Sequence, residues 1–417
     1  MCRAISGARL RVLLALSIGL WWPVSAHALG FDESLRLAEA EVPQLQANRH
    51  AIAGAESARI SAASLPDPKL FAALENFPVS GPAQYSLTEE FMTMQTVGVM
   101  QEVPNGEKRA ARQSLADAMA LQRQNELLVQ SLKVRQQTAA AWLNRHTIER
   151  KIRELKDLDQ EIAILAEILR AQLASGKASP TDTLEVRAET AAIADRRDTL
   201  ERELAQAKAA LVRLAGARGA EPLTGDVPDF KIDSNALRAR LAEQPELRGY
   251  ALMLNSALSE TRIAQSMTQS DWSVQLAYQR RAPEFGDMVS LMFTFDLPWF
   301  TGSRQEPDIA ARLADVRRIE SESASAERQV TEDLERMLAE RTELERRRER
   351  LKNEWLPLAA ERVNLTLASY RAGRGGLNEV LSARRSLIET RLNLIDLDGE
   401  YLRNSASLAY LLLEDRS

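Results

Sequence analysis

The sequence predicts a mainly α-helical protein with a small β part, built from long coiled-coil helical hairpins and four short strands. Three observations predict this fold class: apolar residues recur every seven positions, the apolar period changes to two between the helices, and the same order of elements occurs twice. The composition agrees, because aromatic residues make up 5% and charged residues 27% of the chain, with 18 Gly and 15 Pro in 417 residues. Such a composition is typical of long helices packed side by side.

The N-terminus has the three parts of an export signal. Several arginines precede an apolar stretch of about eleven residues, Val12 to Trp22, and a small-x-small site ends at Ala28. We expect cleavage after Ala28, so that residues 1–28 are the signal and the remaining chain leaves the cytoplasm. A membrane anchor helix is the alternative, and it is disfavoured because the apolar stretch is well short of the ~20 residues that span a bilayer.

Charge and composition exclude several functional classes. Residues 29–417 keep 51 basic residues against 59 acidic residues, a formal net charge of −8, which is unfavourable for nucleic-acid binding. The only cysteine, Cys2, lies in the signal, so the exported chain is expected to have no disulfide, thiol nucleophile or lipid-bearing cysteine. Because the sequence has no phosphate-binding glycine loop, HExxH motif or Cys/His cluster, we expect no cofactor, no metal site and no enzymatic activity.

The chain contains an internal repeat at an offset of 197 residues. At this offset Gly176 corresponds to Gly373, and Leu184 corresponds to Leu381. Repeats of this kind determine the architecture and have to be recognised before any element is assigned. The predicted organisation is a first structural repeat at residues 29–216, a linker at residues 217–231 and a second structural repeat at residues 232–417.

Each half is predicted to contain a helix of about 30 residues, two strands, a very long helix and a return helix of about 36 residues. The first helices lie near residues 32–64 and 234–268, and the long helices span about residues 106–175 and 305–372. At 1.5 Å per residue each long helix is roughly 100 Å long, and its seven-residue spacing predicts a narrow apolar seam. The seam residues are Leu127, Val134, Ala141, Ile148, Leu155, Ile162 and Leu169 in the first long helix, and Ile309, Val316, Val330, Met337, Leu344 and Leu351 in the second.

Both long helices are predicted to end at a glycine-containing turn. The first turn covers residues 175–180, where Ser179 and Asp182 have the spacing of a capping box. The second turn covers residues 372–376 and contains three glycines. Glycine after a helix and Ser-Pro before the next one are typical C-cap and N-cap residues, so each half should fold into a helical hairpin with an exposed tip.

Between the helices the apolar residues alternate. In the second half the alternating residues are Trp272, Val274, Leu276 and Tyr278, followed by Val289, Leu291, Phe293, Phe295 and Leu297; the weaker first half has Leu70, Ala72 and Leu74, then Val97, Val99 and Val103. Strands of 9–11 residues with one apolar face are typical of an outer-membrane barrel, although a soluble sheet with one buried face is the alternative. Four strands cannot close a barrel, and open edges are not tolerated in lipid, so three subunits would have to share twelve strands.

The sequence resembles the TolC family of outer-membrane efflux channels over essentially all of residues 29–417. The resemblance is carried by the duplicated halves, the Tyr370-x-x-Gly373 tip signature with Val380-Leu381-x-Ala383-x-Arg384, the leucine-rich end at residues 408–413, and the Phe295–Phe300 segment. The strings Pro66-Asp67-Pro68 and residues 98–104 are most similar to the heavy-metal branch of the family. Unlike many relatives, this chain has no cysteine at the start of the exported part.

The resemblance implies a homotrimer with a twelve-stranded β-barrel in the outer membrane and a helical α-barrel tunnel in the periplasm. It also implies a passive exit duct, for metal cations in this branch, that docks on a periplasmic adaptor protein and an inner-membrane pump, often of the resistance–nodulation–division type. The expected docking residues lie at the hairpin tips and are Ser175, Gly176, Lys177, Tyr370, Gly373 and Arg374. The alternative function is a periplasmic coiled-coil adaptor or scaffold without a pore.

Charged residues beside the tips are candidates for a gate or selectivity ring. Asp182 and Glu379 occupy equivalent positions of the repeat, and rings of Asp or Glu in a symmetric channel favour cations. The alternative is that each carboxylate only stabilises the start of its helix. Three arginines near Glu379 are its candidate ion-pair partners: Arg371, Arg374 and Arg384.

A few other side chains have metal-ligating chemistry. Met92, Met94 and Met100 are possible soft ligands for Cu(I) or Ag(I), but apolar strand and loop residues are the preferred interpretation. His50 and His146 are far apart in sequence and are expected to be surface or packing residues.

Overall fold

The computed structural model describes residues 28–174 and 179–412, so the predicted signal lies almost entirely outside the described residues. Within them the fold class is confirmed, because the chain is mostly helical with one small antiparallel sheet. The helices are α1 Phe31–Glu41, α2 Pro43–Ala62, α3 Gly106–Ala174, α4 Pro180–Ala215, α5 Ser234–Ala239, α6 Pro245–Ser266, α7 Gln305–Arg350, α8 Leu356–Arg371 and α9 Leu377–Ala409. The strands are β1 Lys69–Glu75, β2 Met94–Val103, β3 Trp272–Arg280 and β4 Met288–Phe295.

The first helix of each half is divided by a proline. Pro43 begins α2 directly after α1, and Pro245 begins α6 after α5 and a short 3₁₀ turn. Both prolines occupy the first helical position, where the missing N–H group costs nothing. The prediction of one 30-residue helix in each half was therefore too simple, although the same break in both halves agrees with the repeat.

The long helix α3 is continuous over 69 residues, and its apolar seam is buried as the seven-residue spacing predicts. The relative accessibility of Val134, Ile148, Leu155, Ile162 and Leu169 is at most 6%. Leu155, Ile162 and Leu169 pack against the return helices α4 and α9, whereas Val134 packs against Ala38 of α1 and Leu45 of α2.

The second long helix differs from the first. It consists of α7, a π-helical turn at Leu351–Trp355, and α8. Pro357 stands just after the π turn, and a proline within a helix removes one backbone donor and clashes with the preceding turn. The π turn accommodates this proline, so that the helical path continues from α7 into α8.

The sheet has the order β1-β2-β3-β4, with every neighbouring pair antiparallel. Each half supplies one hairpin, and the pairing of β2 with β3 joins the halves, with Val103 opposite Trp272 and Gln95 opposite Arg280. The outer edges of β1 and β4 have no strand partner among the described residues. The two halves therefore share one sheet rather than forming two separate domains.

The two faces of the sheet have different compositions. The face that includes Val97 and Val99 also carries Leu276, Leu291 and Phe293 in register, and these large apolar side chains are about half exposed. No helix covers this face among the described residues, since the sheet packs only through its own strands. The other face is mixed. The alternation predicted from the sequence is thus present in all four strands.

The main hydrophobic core lies where the two halves meet along the helices. Phe31 and Trp142 pack edge to face, with ring centroids 5.4 Å apart, and Phe230 packs against both Phe31 and Tyr410. Residues 217–231 take part in this core through Leu223, Val227 and Phe230. The connection between the halves is therefore packed against the core. No helix among residues 28–174 and 179–412 is both long and apolar enough to cross a bilayer.

A substitution at Gly98 should destabilise the sheet. A Cβ at this position would lie 2.4 Å from Cζ of Phe71 and 2.7 Å from the carbonyl oxygen of Leu276, because the Phe71 ring covers the glycine. We expect Gly98→Val to lower the free energy of unfolding by about 1–3 kcal/mol, the usual cost of overpacking. Thermal unfolding of the detergent-solubilised protein measures this. The control is Gly54→Ala in α2, where nothing lies within 4 Å. Equal stability of Gly98→Val and the wild type would contradict the close packing.

Candidate functional site at the hairpin tips

A capping box stabilises the start of α4, the helix that leads away from the first hairpin tip. The backbone N–H of Ser179 donates to Oδ2 of Asp182 at 2.8 Å, and Oγ of Ser179 accepts from the N–H of Thr181 at 3.2 Å. This is the capping box that the sequence predicts. The predicted docking residues Ser175, Gly176 and Lys177 lie outside the described residues.

The second hairpin tip is a Schellman turn at the end of α8. The N–H of Gly373 donates to the carbonyl of Tyr370 at 2.9 Å, and the N–H of Arg374 donates to the carbonyl of Ser369 at 3.0 Å. Gly373 has φ +70°, a left-handed conformation that a residue with a Cβ adopts only at a cost. The glycine in the Tyr370-x-x-Gly373 signature is therefore required by the turn itself.

The two candidate gate carboxylates are equivalent in the structure. Asp182 is the third residue of α4, and Glu379 is the third residue of α9. Asp182 is half-buried and accepts the capping hydrogen bond, whereas Glu379 is exposed. Oε2 of Glu379 would lie 3.1 Å from a Cβ on Gly375, so this carboxylate folds back over the tip turn. Both positions fit the role of a carboxylate at a helix start, and of the two only Glu379 is exposed.

The two hairpins pack against each other beside the tips. Leu377 and Leu381 of α9 are buried in one cluster with Leu169 of α3 and Val186 of α4, and Tyr370 packs against this cluster. Burial raises the pKa of the Tyr370 hydroxyl, and the negative charge of Asp182 raises it further. The structure thus brings together the second tip signature and the capping carboxylate of the first hairpin, which the sequence alone did not indicate.

An ion pair behind the tips also joins the hairpins. Nε of Arg385 on α9 lies 3.1 Å from Oε2 of Glu189 on α4, and a second guanidinium nitrogen contacts the same carboxylate. Glu189 is 5% exposed, whereas the Arg385 side chain is largely exposed. A carboxylate at this depth needs a charged partner, because burying it alone is costly.

Further ion pairs between α9 and α3 continue this contact towards the sheet. Arg391 and Glu154 are 2.8 Å apart, and Lys151 and Asp396 are 2.9 Å apart. Arg384, a predicted partner of Glu379, instead pairs with Glu161 of α3 at 3.1 Å. That prediction was wrong because α9 turns Arg384 towards α3 rather than towards the tip. Arg371 and Arg374 are exposed.

The side chains with metal-ligating chemistry are dispersed. Met94 and Met100 lie on the mixed face of β2, and Met92 is exposed in the preceding loop. No group of three or more His, Cys, Asp or Glu residues with metal-site geometry occurs in the described part of the chain. His146 stacks on Trp142 with centroids 5.3 Å apart, and burial lowers the pKa of this imidazole. It is a packing residue, as expected.

Residues 236–412 match the family model described as outer membrane efflux protein. This part of the chain is similar to that family. Its members lie in the outer membrane, extend into the periplasm and form pores rather than enzymes. The predictions of an outer-membrane location and of a non-enzymatic protein are therefore confirmed.

Solved structures have the same fold over nearly the whole chain. The outer membrane protein VceC of Vibrio cholerae is 17% identical, with a TM-score of 0.78 over 91% of this chain and 95% of its own. CusC is 16% identical, with a TM-score of 0.76 over 92% of each chain; its crystal structures concern the conformational changes that accompany folding and transmembrane channel formation. The open-state outer membrane channel MtrE of Neisseria gonorrhoeae is 14% identical, with a TM-score of 0.74 over 91% of this chain and 88% of its own. No curated protein matches the sequence.

Removing the guanidinium that pairs with Glu189 should weaken the packing of the two hairpins. We expect Arg385→Ala to lower the free energy of unfolding by about 1–3 kcal/mol, the cost of leaving a buried polar group without its partner. Chemical denaturation followed by circular dichroism measures the change. The matched control is Arg391→Ala, whose exposed ion pair with Glu154 should contribute at most about 1 kcal/mol. Similar losses in the two variants would contradict the special role of the buried carboxylate.

Proposed function

We propose that the protein is one subunit of a trimeric, passive exit duct of a tripartite efflux system. An inner-membrane pump of the resistance–nodulation–division type and a periplasmic adaptor would deliver the substrate to it. The single observation that carries the proposal is the sheet, which has an uncovered apolar face and two edges without a partner. A coiled-coil adaptor or scaffold in the periplasm would not require an uncovered apolar sheet face.

The sheet supplies the argument for several copies in lipid. In the hydrocarbon core a backbone N–H or C=O group without a partner costs several kcal/mol, so the edges of β1 and β4 must be paired. Pairing β4 of one copy with β1 of the next closes a barrel of twelve strands when three copies join. The apolar face then contacts lipid, and the mixed face lines the interior.

Exposed apolar stripes on the helices support the same assembly. Trp355, Leu358 and Leu365 on the second hairpin and Ile164 and Ile168 on the first are between 49% and 64% exposed. At 1.5 Å per residue both stripes lie roughly 75–95 Å from the sheet. They occur on different hairpins, so one copy can pack its second hairpin on the first hairpin of the next copy. Head-to-tail contacts of this kind close into a ring.

The substrate class that we propose is metal cations. The exported chain is acidic, and the mixed face of the sheet carries Glu75 and Glu102, while its only cation, Lys69, is paired with Glu102. An interior with an excess of carboxylates favours cations over anions. Similarity to the heavy-metal branch points to the same class.

Cysteine crosslinking tests the head-to-tail contact. The exported chain has no cysteine, so Ile168→Cys combined with Leu365→Cys introduces the only two thiols. Oxidation of the doubly substituted protein in outer-membrane fractions should give covalent trimers on denaturing gels. Each single variant should remain monomeric on the same gels. A double variant that forms only dimers, or a disulfide within one chain, would overturn the proposed ring.

Docking on the adaptor should depend on the second tip. A Cβ at Gly373 would meet nothing within 4 Å, so the turn is open to an approaching partner. We expect Gly373→Trp to abolish efflux by blocking this approach while the trimer persists. Gly373→Asn is the control, because Asn tolerates the left-handed conformation and is small. Normal metal resistance in the Gly373→Trp strain, at normal expression, would argue against docking at this tip.

Glu379 is the better candidate for the selectivity ring. Two such charges ~6 Å apart repel by about 3 kcal/mol at an effective dielectric near 20, so a closed ring should bind cations. We expect Glu379→Gln to reduce cation selectivity and to weaken block by divalent cations in single-channel recordings. Glu389→Gln, an exposed change further along α9, should alter neither property. If both variants behave as the wild type does, Glu379 is only a helix-start carboxylate.

A further inference from the structure

A groove of about 310 Å³ lies where the two halves meet, beside the end of α9. One wall is formed by α3 of the first half, and the others by the start of α6, the middle of α7 and the end of α9 in the second half. Its apolar lining residues are Val129, Leu132, Val330, Met337 and Leu411. A segment bound in this groove would therefore contact both halves and cover apolar surface that is otherwise open to water.

Gln244, the residue just before α6, brings a buried acceptor to the groove. It is one of the lining residues and is only 7% exposed. Its Oε1 nevertheless accepts no hydrogen bond from any group within residues 28–174 and 179–412. An amide oxygen at this depth is normally paired. The groove therefore suits an occupant that carries an N–H donor, which every extended peptide segment supplies along its backbone.

The end of α9 brings the chain to this groove. Nε2 of Gln136 on α3 donates to the carbonyl oxygens of Ser407 at 3.2 Å and of Tyr410 at 3.3 Å, and Leu411 lines the groove. Residues 413–417 follow and lie outside the described residues; we call them the tail segment. Five extended residues reach at most roughly 17 Å, which is enough to enter and cross a groove of this volume.

The tail segment has the residue types that the groove accommodates. It begins with Leu413 and continues with Glu414 and Asp415. Two cations, Lys133 and Arg336, lie among the lining residues. An apolar side chain is stabilised against the apolar lining, and the two carboxylates are attracted by the two cations. Apolar and charged groups thus correspond between the segment and the groove.

Both cations can take a second carboxylate. Nζ of Lys133 lies 3.5 Å from a carboxylate oxygen of Glu246, and a guanidinium nitrogen of Arg336 lies 2.7 Å from one of Asp333. An ammonium has three donors and a guanidinium has five, so one such pair does not use all of them. Because these pairs are largely exposed, the charges orient the segment more than they hold it.

We propose that the tail segment folds back into this groove of its own chain and joins the two halves. Leu413 covers the apolar lining, a backbone N–H of the segment donates to Oε1 of Gln244, and the two acidic side chains approach the two cations. The occupant is the chain's own segment rather than a second copy, because a tethered segment has a far higher effective concentration at the groove. The inference does not depend on the proposed function, since every residue that it uses belongs to one chain.

Thiol labelling measures whether the tail segment occupies the groove. Met337→Cys gives the exported chain a single thiol in the groove, and its reaction with a maleimide is followed in the purified, assembled protein. The comparison is the same chain with Leu413, Glu414 and Asp415 all changed to Ser. Since only the undocked state reacts, a segment docked about 90% of the time slows labelling about tenfold. Equal rates in the two chains would overturn the proposal.

A buried thiol is the control for general loosening. Val134→Cys lies in another cluster and is 2% exposed in the wild type. It should react equally slowly in the unchanged chain and in the chain with the three Ser substitutions. Faster labelling of both thiols in the latter chain would show loss of structure rather than release of the segment, and the proposal would be wrong.

Disulfide formation identifies the groove and the chain to which the tail segment binds. Oxidation of Leu413→Cys combined with Met337→Cys should link the two positions within one chain, which remains a monomer on denaturing gels. The control pair is Leu413→Cys with Leu237→Cys, which lines a separate groove on the other side of α9 and should form no disulfide. Linked dimers would show docking on a neighbouring copy. That result, a disulfide only in the control pair, or none in either pair would each overturn the proposal.

Discussion

The open edges of the four-stranded sheet are the constraint on which the rest of the structure depends. β1 and β4 each present a row of backbone donors and acceptors, and the face between them is apolar and uncovered. In water such a sheet would aggregate, and in lipid its edges would be unsatisfied. In the proposed trimer, further copies of the same chain satisfy both requirements at once. Subunits that share a barrel in this way must also pack side by side along their long helices.

The duplication gives two halves with the same elements but different local chemistry. Each half supplies one strand hairpin, and β2 and β3 join them into a continuous sheet. Each half also breaks its first helix at a proline. Only the second half has a π turn in its long helix, and only there do large exposed side chains, those of Leu297, Trp299 and Phe300, follow the second strand. Equivalent positions of the two halves therefore carry different residues. The proposed ring permits this, because each subunit contributes two different hairpins to it.

Features that depend on neighbouring residues in the sequence could be predicted. The buried seam of α3, the alternating strand faces and the capping box of Ser179 and Asp182 all follow from spacing within one element. The contacts between elements could not be predicted in the same way. Arg385 and Glu189 are 196 positions apart in the sequence. Nothing in the local sequence indicates that the guanidinium on α9 contacts the buried carboxylate on α4. Arg384 failed as a partner for Glu379 for the same reason.

The helix α8 has no buried residue within the single chain, although its partner α9 has twelve. Within the chain its apolar contacts come from partly buried side chains such as Tyr370, and helices that bury so little are marginal in water. Amide protons of α8 should therefore exchange with solvent far sooner in a lone subunit than those of α3. In the proposed trimer the neighbouring hairpin supplies the missing apolar contacts. The stability of α8 then depends on protein concentration, because it depends on assembly. In an unassembled subunit α8 would be the helix most accessible to periplasmic proteases.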